Sequence, residues 1–246
     1  MVNGSKGAVG FWGRRYGKAA IARCANWLRF VGKLHSHAYR MVKQLMNPAP
    51  DVEMAVLCGR MVQADQAGTT TMVGFNYRRA PAIQLAYPLI RDGRLGTIFQ
   101  VRGQYLQDWA IDPAVPLTWR FQQSVAGSGS VRDLLTHVID LTHFLVGEFE
   151  KVSAFQQTFG AQRPLLGKLT GEGLGHGGQG SDGALGSVAV DDVTAVVAGL
   201  SKGVVGAFEA TRFATGYKNG LRLEIHGDRG ALRFDLEHLN ELEYYR

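Results

Sequence analysis

Cysteine is scarce: the 246-residue chain holds 2, Cys24 and Cys58, far apart and with neither a CxxC pair nor a histidine at metal-ligand spacing. This argues against a disulfide scaffold or a structural zinc site and makes a reducing cytoplasm the default compartment. Long apolar runs are also missing. Nothing approaches the ~18–20 uninterrupted residues of a membrane helix, so no bilayer span is expected. Acidic residues are absent from one end. Residues 1–50 carry Lys6, Arg14, Arg15, Lys18, Arg23, Arg29, Lys33, Arg40 and Lys43 without one Asp or Glu, so the net charge of +6 belongs to that arm. A basic arm can meet nucleic acid or an anionic surface, and an acid-free start can be a transit peptide. The favoured reading is a poorly specified extension, with no nucleic-acid partner.

From Asp51 onward the pattern is that of a folded protein, 46% of the whole chain being hydrophobic and 20% charged. Short apolar runs over 52–58 and 70–75 read as buried strands. Pro81 opens a helix through Ile90, closed by Asp92-Gly93, in which Pro88 is expected to force a kink or an early end. Residues 97–107 alternate as a strand, and a Pro-rich loop with Trp109 and Trp119 follows. Ser130 to Leu145 is helical, with Leu134, Val138, Leu141 and Leu145 on one stripe. A strand over 152–159 precedes a glycine-rich stretch, 160–187, that reads as a long flexible loop. Runs over 188–200, 204–213, 221–227 and 231–236 finish the chain as successive strands. The expected fold is α+β, a mostly antiparallel, open-faced sheet with helices on one face. Val193, Ala195 and Val197 alternate with Thr194, Val196 and Ala198, so that strand should be apolar on both sides.

One constellation carries chemistry. Asp133 and His137 stand four apart on the expected helix and share a face. A carboxylate beside an imidazole can hold its tautomer and raise its basicity, which prepares it for proton transfer near neutral pH. The same spacing also makes an ordinary helix-face ion pair. Gly127 and Gly129 just upstream would let a ligand approach the helix start.

The order of further segments narrows the choice. Gly74-Phe75-Asn76-Tyr77-Arg78-Arg79 with Pro81, then Ile90 to Gly96, Tyr105-Leu106-Gln107-Asp108-Trp109, Trp119-Arg120-Phe121 and the Gly/Asp/His helix resemble the Gfo/Idh/MocA family of NAD(P)-dependent sugar and polyol oxidoreductases. The likeness runs on through Phe144 to Glu148, Glu209 to Arg212 and Glu224 to Gly230. It implies that His137 is the general base, oriented by Asp133. Tyr77, Gln107, Trp109 and Arg120 would surround a cyclic sugar or polyol, and Gly32, Arg60 and Trp119 would lie at an NAD or NADP cofactor. Trp109 and Trp119 could equally pack as loop aromatics on the core.

The resemblance also shows what is lacking. Ala8 to Gly13 looks like a first strand and turn, but Arg14-Arg15-Tyr16-Gly17 breaks the G-x-G-x-x-G spacing that seats a pyrophosphate. Phe30 to Arg40, with Gly32, resembles the helix after that turn. Its His35-Ser36-His37 fits that helix rather than a metal, and no metal site is expected. Arg60 stands where an acid would meet a ribose hydroxyl, leaving NAD and NADP open. No Glu-Lys-Pro, the family's lysine motif, occurs anywhere, and Tyr244-Tyr245-Arg246 ends before the family's last segment would. Residues 1–68 thus read as a truncated Rossmann remnant and 69–246 as a substrate-binding and oligomerisation domain. Three readings follow: an oxidoreductase with weak or absent cofactor binding, a non-catalytic sugar-binding or oligomerising relative, or the product of a damaged gene. A homo-oligomer through the open sheet face is expected.

Overall fold

The computed structural model describes residues 63, 66–69, 74–166 and 180–246. The basic arm, most of the expected Rossmann remnant including Gly32 and Arg60, both cysteines, the strand expected over 52–58 and most of that over 70–75 lie outside the described residues.

A 3-10 turn, Asn76–Arg79, leads into helix α1 (Pro81–Arg91), which starts on a proline whose missing N–H would have had no partner there. Of the two outcomes expected at Pro88, a kink or an early end, the early end does not occur. The helix runs to Arg91, and the Asp92 and Arg94 amides donate to Pro88 O and Leu89 O at 2.8 and 3.0 Å. The reason is where the proline stands. Pro88 and Gln84, whose carbonyl loses a donor, are exposed and open to water, while Ala82, Ile83 and Ala86 stay packed inward. Asp92-Gly93 closes the helix as anticipated, with Gly93 at φ 68°.

The main sheet has seven strands: β1 (Ile98–Leu106), β2 (Phe149–Gln157), β5 (Val193–Leu200), β6 (Val205–Thr211), β7 (Gly220–Gly227), β8 (Ala231–Asp235) and β9 (Leu242–Tyr245). Their order is β2-β5-β6-β1-β7-β8-β9. Every neighbouring pair is antiparallel except β1 with β6, which is parallel. The mostly antiparallel sheet of the expected α+β fold is therefore present. The stretch 160–187 is not simply a loop. Its flanks pair as β3 (Gln162–Leu166) and β4 (Gly180–Ser187), because Arg163 is buried and Gly186 lets the hairpin close on Leu117, where a Cβ would sit 2.5 Å from Leu117 Cδ2. The strand expected over 188–200 is also shorter. It enters the ladder only at Val193, since Asp191 and Asp192 turn inward just before it.

Helix α2 (Gln123–Ala126) is a single turn. Helix α3 (Thr136–Leu145) follows a π-helical turn, Val131–Leu135, and lies on the same sheet face as α1. It approaches closely at Gly103 of β1, where a Cβ would be 2.3 Å from Val138 Cγ1. That contact fixes the depth of the neighbouring His137. Phe208, Leu223, Ile225 and Phe234 fill the space between the sheet and the helices. The opposite sheet face is uncovered, with Phe155 67% and Val197 60% exposed, as the two-sided apolar pattern implied. No described helix is long and apolar enough to cross a membrane.

Candidate active site

The helix bearing Asp133 and His137 is anchored at its start by Asp191. Its carboxylate accepts from the Gly129 amide at 2.8 Å, the Val131 amide at 3.0 Å and Ser130 Oγ at 2.6 Å. Three donors on one buried carboxylate satisfy amides that open the helix without partners. Gly129 is required for this, but not to admit a ligand. A Cβ there would lie 1.8 Å from the Asp191 carbonyl oxygen, so the close approach is made by the protein's own backbone.

Beneath it, Arg212 Nη2 meets Asp192 Oδ1 at 2.9 Å with both side chains fully buried. Arg212 also donates to the carbonyls of Asp191 and Arg120, which ties the β5 entry to the Trp119–Phe121 turn. Arg163 lies over the Phe121 ring at 4.3 Å and donates to Ala110 O and Asp112 O, tying the hairpin to the loop after Trp109.

His137 projects from the first turn of α3 into three rings. The centroids of Tyr77, Phe75 and Tyr105 lie 4.9, 5.9 and 6.0 Å from its own. Burial lowers its pKa below the ordinary imidazole value, and the charges of Asp140 and Asp133 offset this only in part. The ring is therefore neutral at physiological pH, with Nδ1 buried and unpaired among the described residues. Asp133 acts on it through its field. The carboxylate is instead 3.5 Å from Arg120 Nε, and the same field helps raise the pKa of the buried Tyr105 phenol, after burial itself and the Tyr77 hydrogen bond. The π turn matters here, since a wider turn changes the phase between positions 133 and 137 from that of an α-helix.

A chain of hydrogen bonds crosses the site. Tyr77 Oη and Tyr105 Oη are 2.8 Å apart, Tyr105 donates to Asn219 Oδ1 at 2.6 Å, Gln107 Nε2 donates to the same oxygen at 2.9 Å, and Trp109 Nε1 donates to Gln107 Oε1 at 2.9 Å. Arg78 grips the buried Asp140 carboxylate with Nε at 2.7 Å and Nη2 at 2.5 Å, which fixes the turn that carries Tyr77 to α3. The two tryptophans differ. Trp109 packs on Phe121, ring to ring at 5.5 Å, in a small second core with Val188 and Val190. Trp119 is 51% exposed, with the Arg120 guanidinium 4.4 Å from its ring centre.

The structure thus brings together His137, Asp133, Tyr77, Gln107, Trp109, Arg120 and Trp119, while Gly32 and Arg60 lie outside the described residues. Two members escaped sequence reading. Tyr105 stood on the alternating strand and opened a family segment but was given no role, and Asn219 lies in a turn with no motif around it. Among the described residues no group of His, Cys, Asp and Glu could hold a metal ion.

Comparison with known proteins identifies the family. The GFO/IDH/MocA C-terminal domain matches residues 83–233. The chain is 47% identical over 173 residues to levoglucosan dehydrogenase of Pseudarthrobacter phenanthrenivorans, across 70% of this chain and 44% of the relative. It is 28% identical over 182 residues to inositol 2-dehydrogenase of Rhizobium meliloti, across 74% and 46%. A solved levoglucosan dehydrogenase in complex with NADH and L-sorbose superposes with a TM-score of 0.65 at 42% identity, covering 75% of this chain and 46% of the other. The chain therefore spans about half the length of the relatives it matches. A helix-covered open sheet, a histidine helix seated on its central strand and a match across most of the described residues lead to one conclusion: the chain belongs to the Gfo/Idh/MocA family, by way of that family's C-terminal domain.

Proposed function

We propose that this chain supplies the substrate-binding half of an NAD(P)-dependent dehydrogenase acting on a cyclic sugar or polyol. Residues 69–246 would form that half, and 1–68 a remnant of the cofactor half. The observation that carries the reading is His137, an imidazole kept neutral by burial and set among Tyr77, Tyr105 and Phe75 beside two carboxylates. Such a ring can accept a proton from a substrate hydroxyl at neutral pH. Asp133 stabilises the imidazolium that forms, and Arg120 holds Asp133 in place. Tyr77 and Gln107 are the polar groups that would orient a polyol so that one C–H faces outward, with Trp109 as an aromatic face for the ring. The residues present fit a nicotinamide beside Trp119. Trp119 offers an exposed aromatic face, and Arg120 on that ring offers a cation. A bound nicotinamide supplies the hydride acceptor, and Gly32 and Arg60 are the residues proposed to contribute from the other half.

The test is to incubate the full chain with NAD or NADP and levoglucosan, L-sorbose or inositol, and to follow reduced nicotinamide by absorbance. Slow turnover, reduced by the missing Glu-Lys-Pro lysine, that vanishes in His137→Gln is expected. Sugar binding without turnover would favour the second reading, a non-catalytic sugar-binding relative, which the missing Glu-Lys-Pro supports. Neither binding nor turnover would sink both. We further propose that the uncovered sheet face, with Phe155, Val197 and Val205, pairs with a second copy of the chain. A monomer by sedimentation at high concentration would refute that pairing. The low cysteine content supports a cytoplasmic location.

A further inference from the structure

The hydrogen-bond chain across the site has a direction that donor chemistry alone determines. An indole N–H can only donate, so the Gln107 atom facing Trp109 must be its oxygen. The Gln107 amide nitrogen then faces Asn219, and the Asn219 atom between Gln107 and Tyr105 must be an acceptor. Tyr105 therefore gives its single proton to Asn219, at 2.6 Å. With that proton committed, the 2.8 Å contact between the two phenols can be a hydrogen bond only if Tyr77 donates to Tyr105. Each step follows from the one before. Reversing any amide would set two donors against each other.

We propose that Asn219 is a positioning residue that fixes this polarity, so that Tyr77 meets the ligand solely as an acceptor and selects a ligand hydroxyl that donates to it. The ligand half rests on the reading above, in which Tyr77 faces a sugar or polyol; the polarity itself does not. A ligand group that can only accept, such as a fluorine or a methyl ether, finds no donor on Tyr77. Asn219 is exposed on the turn before β7, so replacing it leaves the core intact.

The test follows the Trp109 indole N–H of the full chain by proton–nitrogen NMR, assigned through its loss in Trp109→Phe. In Asn219→Leu, Gln107 keeps the orientation set by Trp109 but loses its second anchor, so the Trp109 signal should shift and exchange with solvent about tenfold faster. Asn219→Asp keeps an acceptor for both neighbours and should restore the wild-type signal. A Trp109 signal unchanged in Asn219→Leu overturns the positioning role of Asn219, and one altered equally in Asn219→Asp overturns the polarity. Calorimetry with levoglucosan and its singly fluorine-for-hydroxyl analogues tests the ligand half. One analogue should bind about tenfold or more weakly than levoglucosan, and Tyr77→Phe should remove that gap. A full set of analogues that bind as well as the parent overturns it. Absence of levoglucosan binding refutes levoglucosan as the ligand in the reading above, and the ligand selection with it, while the NMR result still decides the polarity.

Discussion

Two polar networks lie on either side of the histidine helix, and they are built to opposite ends. Beneath its start, Asp191, Asp192, Arg212, Ser130 and Thr194 are all buried, and their charges are largely met inside the protein. On the Tyr105 side, the residues Tyr77, Gln107, Asn219 and His137 are less deeply buried and keep hydrogen-bonding capacity to spare. The first network fastens β5, β6 and the Trp119–Phe121 turn to the helix. The second stays available for a ligand. A charge buried with its partner holds structure because losing either member strands the other. A half-wet polar group costs less to leave open and can be used for binding.

Substitutions in the two networks should therefore separate stability from binding. Arg212→Met should give the largest loss of stability, about 3–5 kcal/mol by denaturant unfolding, because Asp192 is left charged and buried. Adding Asp192→Asn should recover part of that loss, and a double variant as unstable as the single would contradict the pairing. Gly129→Ala comes next, at about 1–3 kcal/mol, since its Cβ collides with the Asp191 carbonyl and the helix start must move. On the Tyr105 side, His137→Gln should change stability by less than about 1 kcal/mol while abolishing turnover.

The pH dependence has a definite sign. Because the folded protein lowers the pKa of His137, the unfolded chain binds the proton first as pH falls, so this residue's contribution to stability declines below about pH 6.5. An NMR titration of the His137 ring with a midpoint above the ordinary value would contradict that. The smallest effect belongs to Lys218→Ala. It removes an exposed 2.7 Å contact with Asp108, and a melting experiment should find less than about 1 kcal/mol.

Much of the fold was legible in the chain. The stripe Leu134, Val138, Leu141 and Leu145 marked the helix, and the alternation from Thr97 to Gln107 marked the central strand, because burial on one face imposes a period. What escaped depended on distant partners. The pairing of β3 with β4 rests on Arg163 reaching the loop after Trp109, and the continuation of α1 past Pro88 rests on which side of the helix meets water. In the site, Asp133 and His137 were legible by spacing. Asn219 was not, because its partners Tyr105 and Gln107 stand 114 and 112 residues away.

The chain alone determined which residues could form strands and helices, that one helix would carry a carboxylate and an imidazole, and which family's pattern they follow. Tertiary structure decided what those groups do to one another. It turned Asp133 toward Arg120, half-buried His137 so that its pKa falls, and made the glycine before the helix a seat for Asp191 instead of a ligand. The reason is that local patterning depends on neighbours along the chain, whereas protonation state and hydrogen-bond direction depend on neighbours in space.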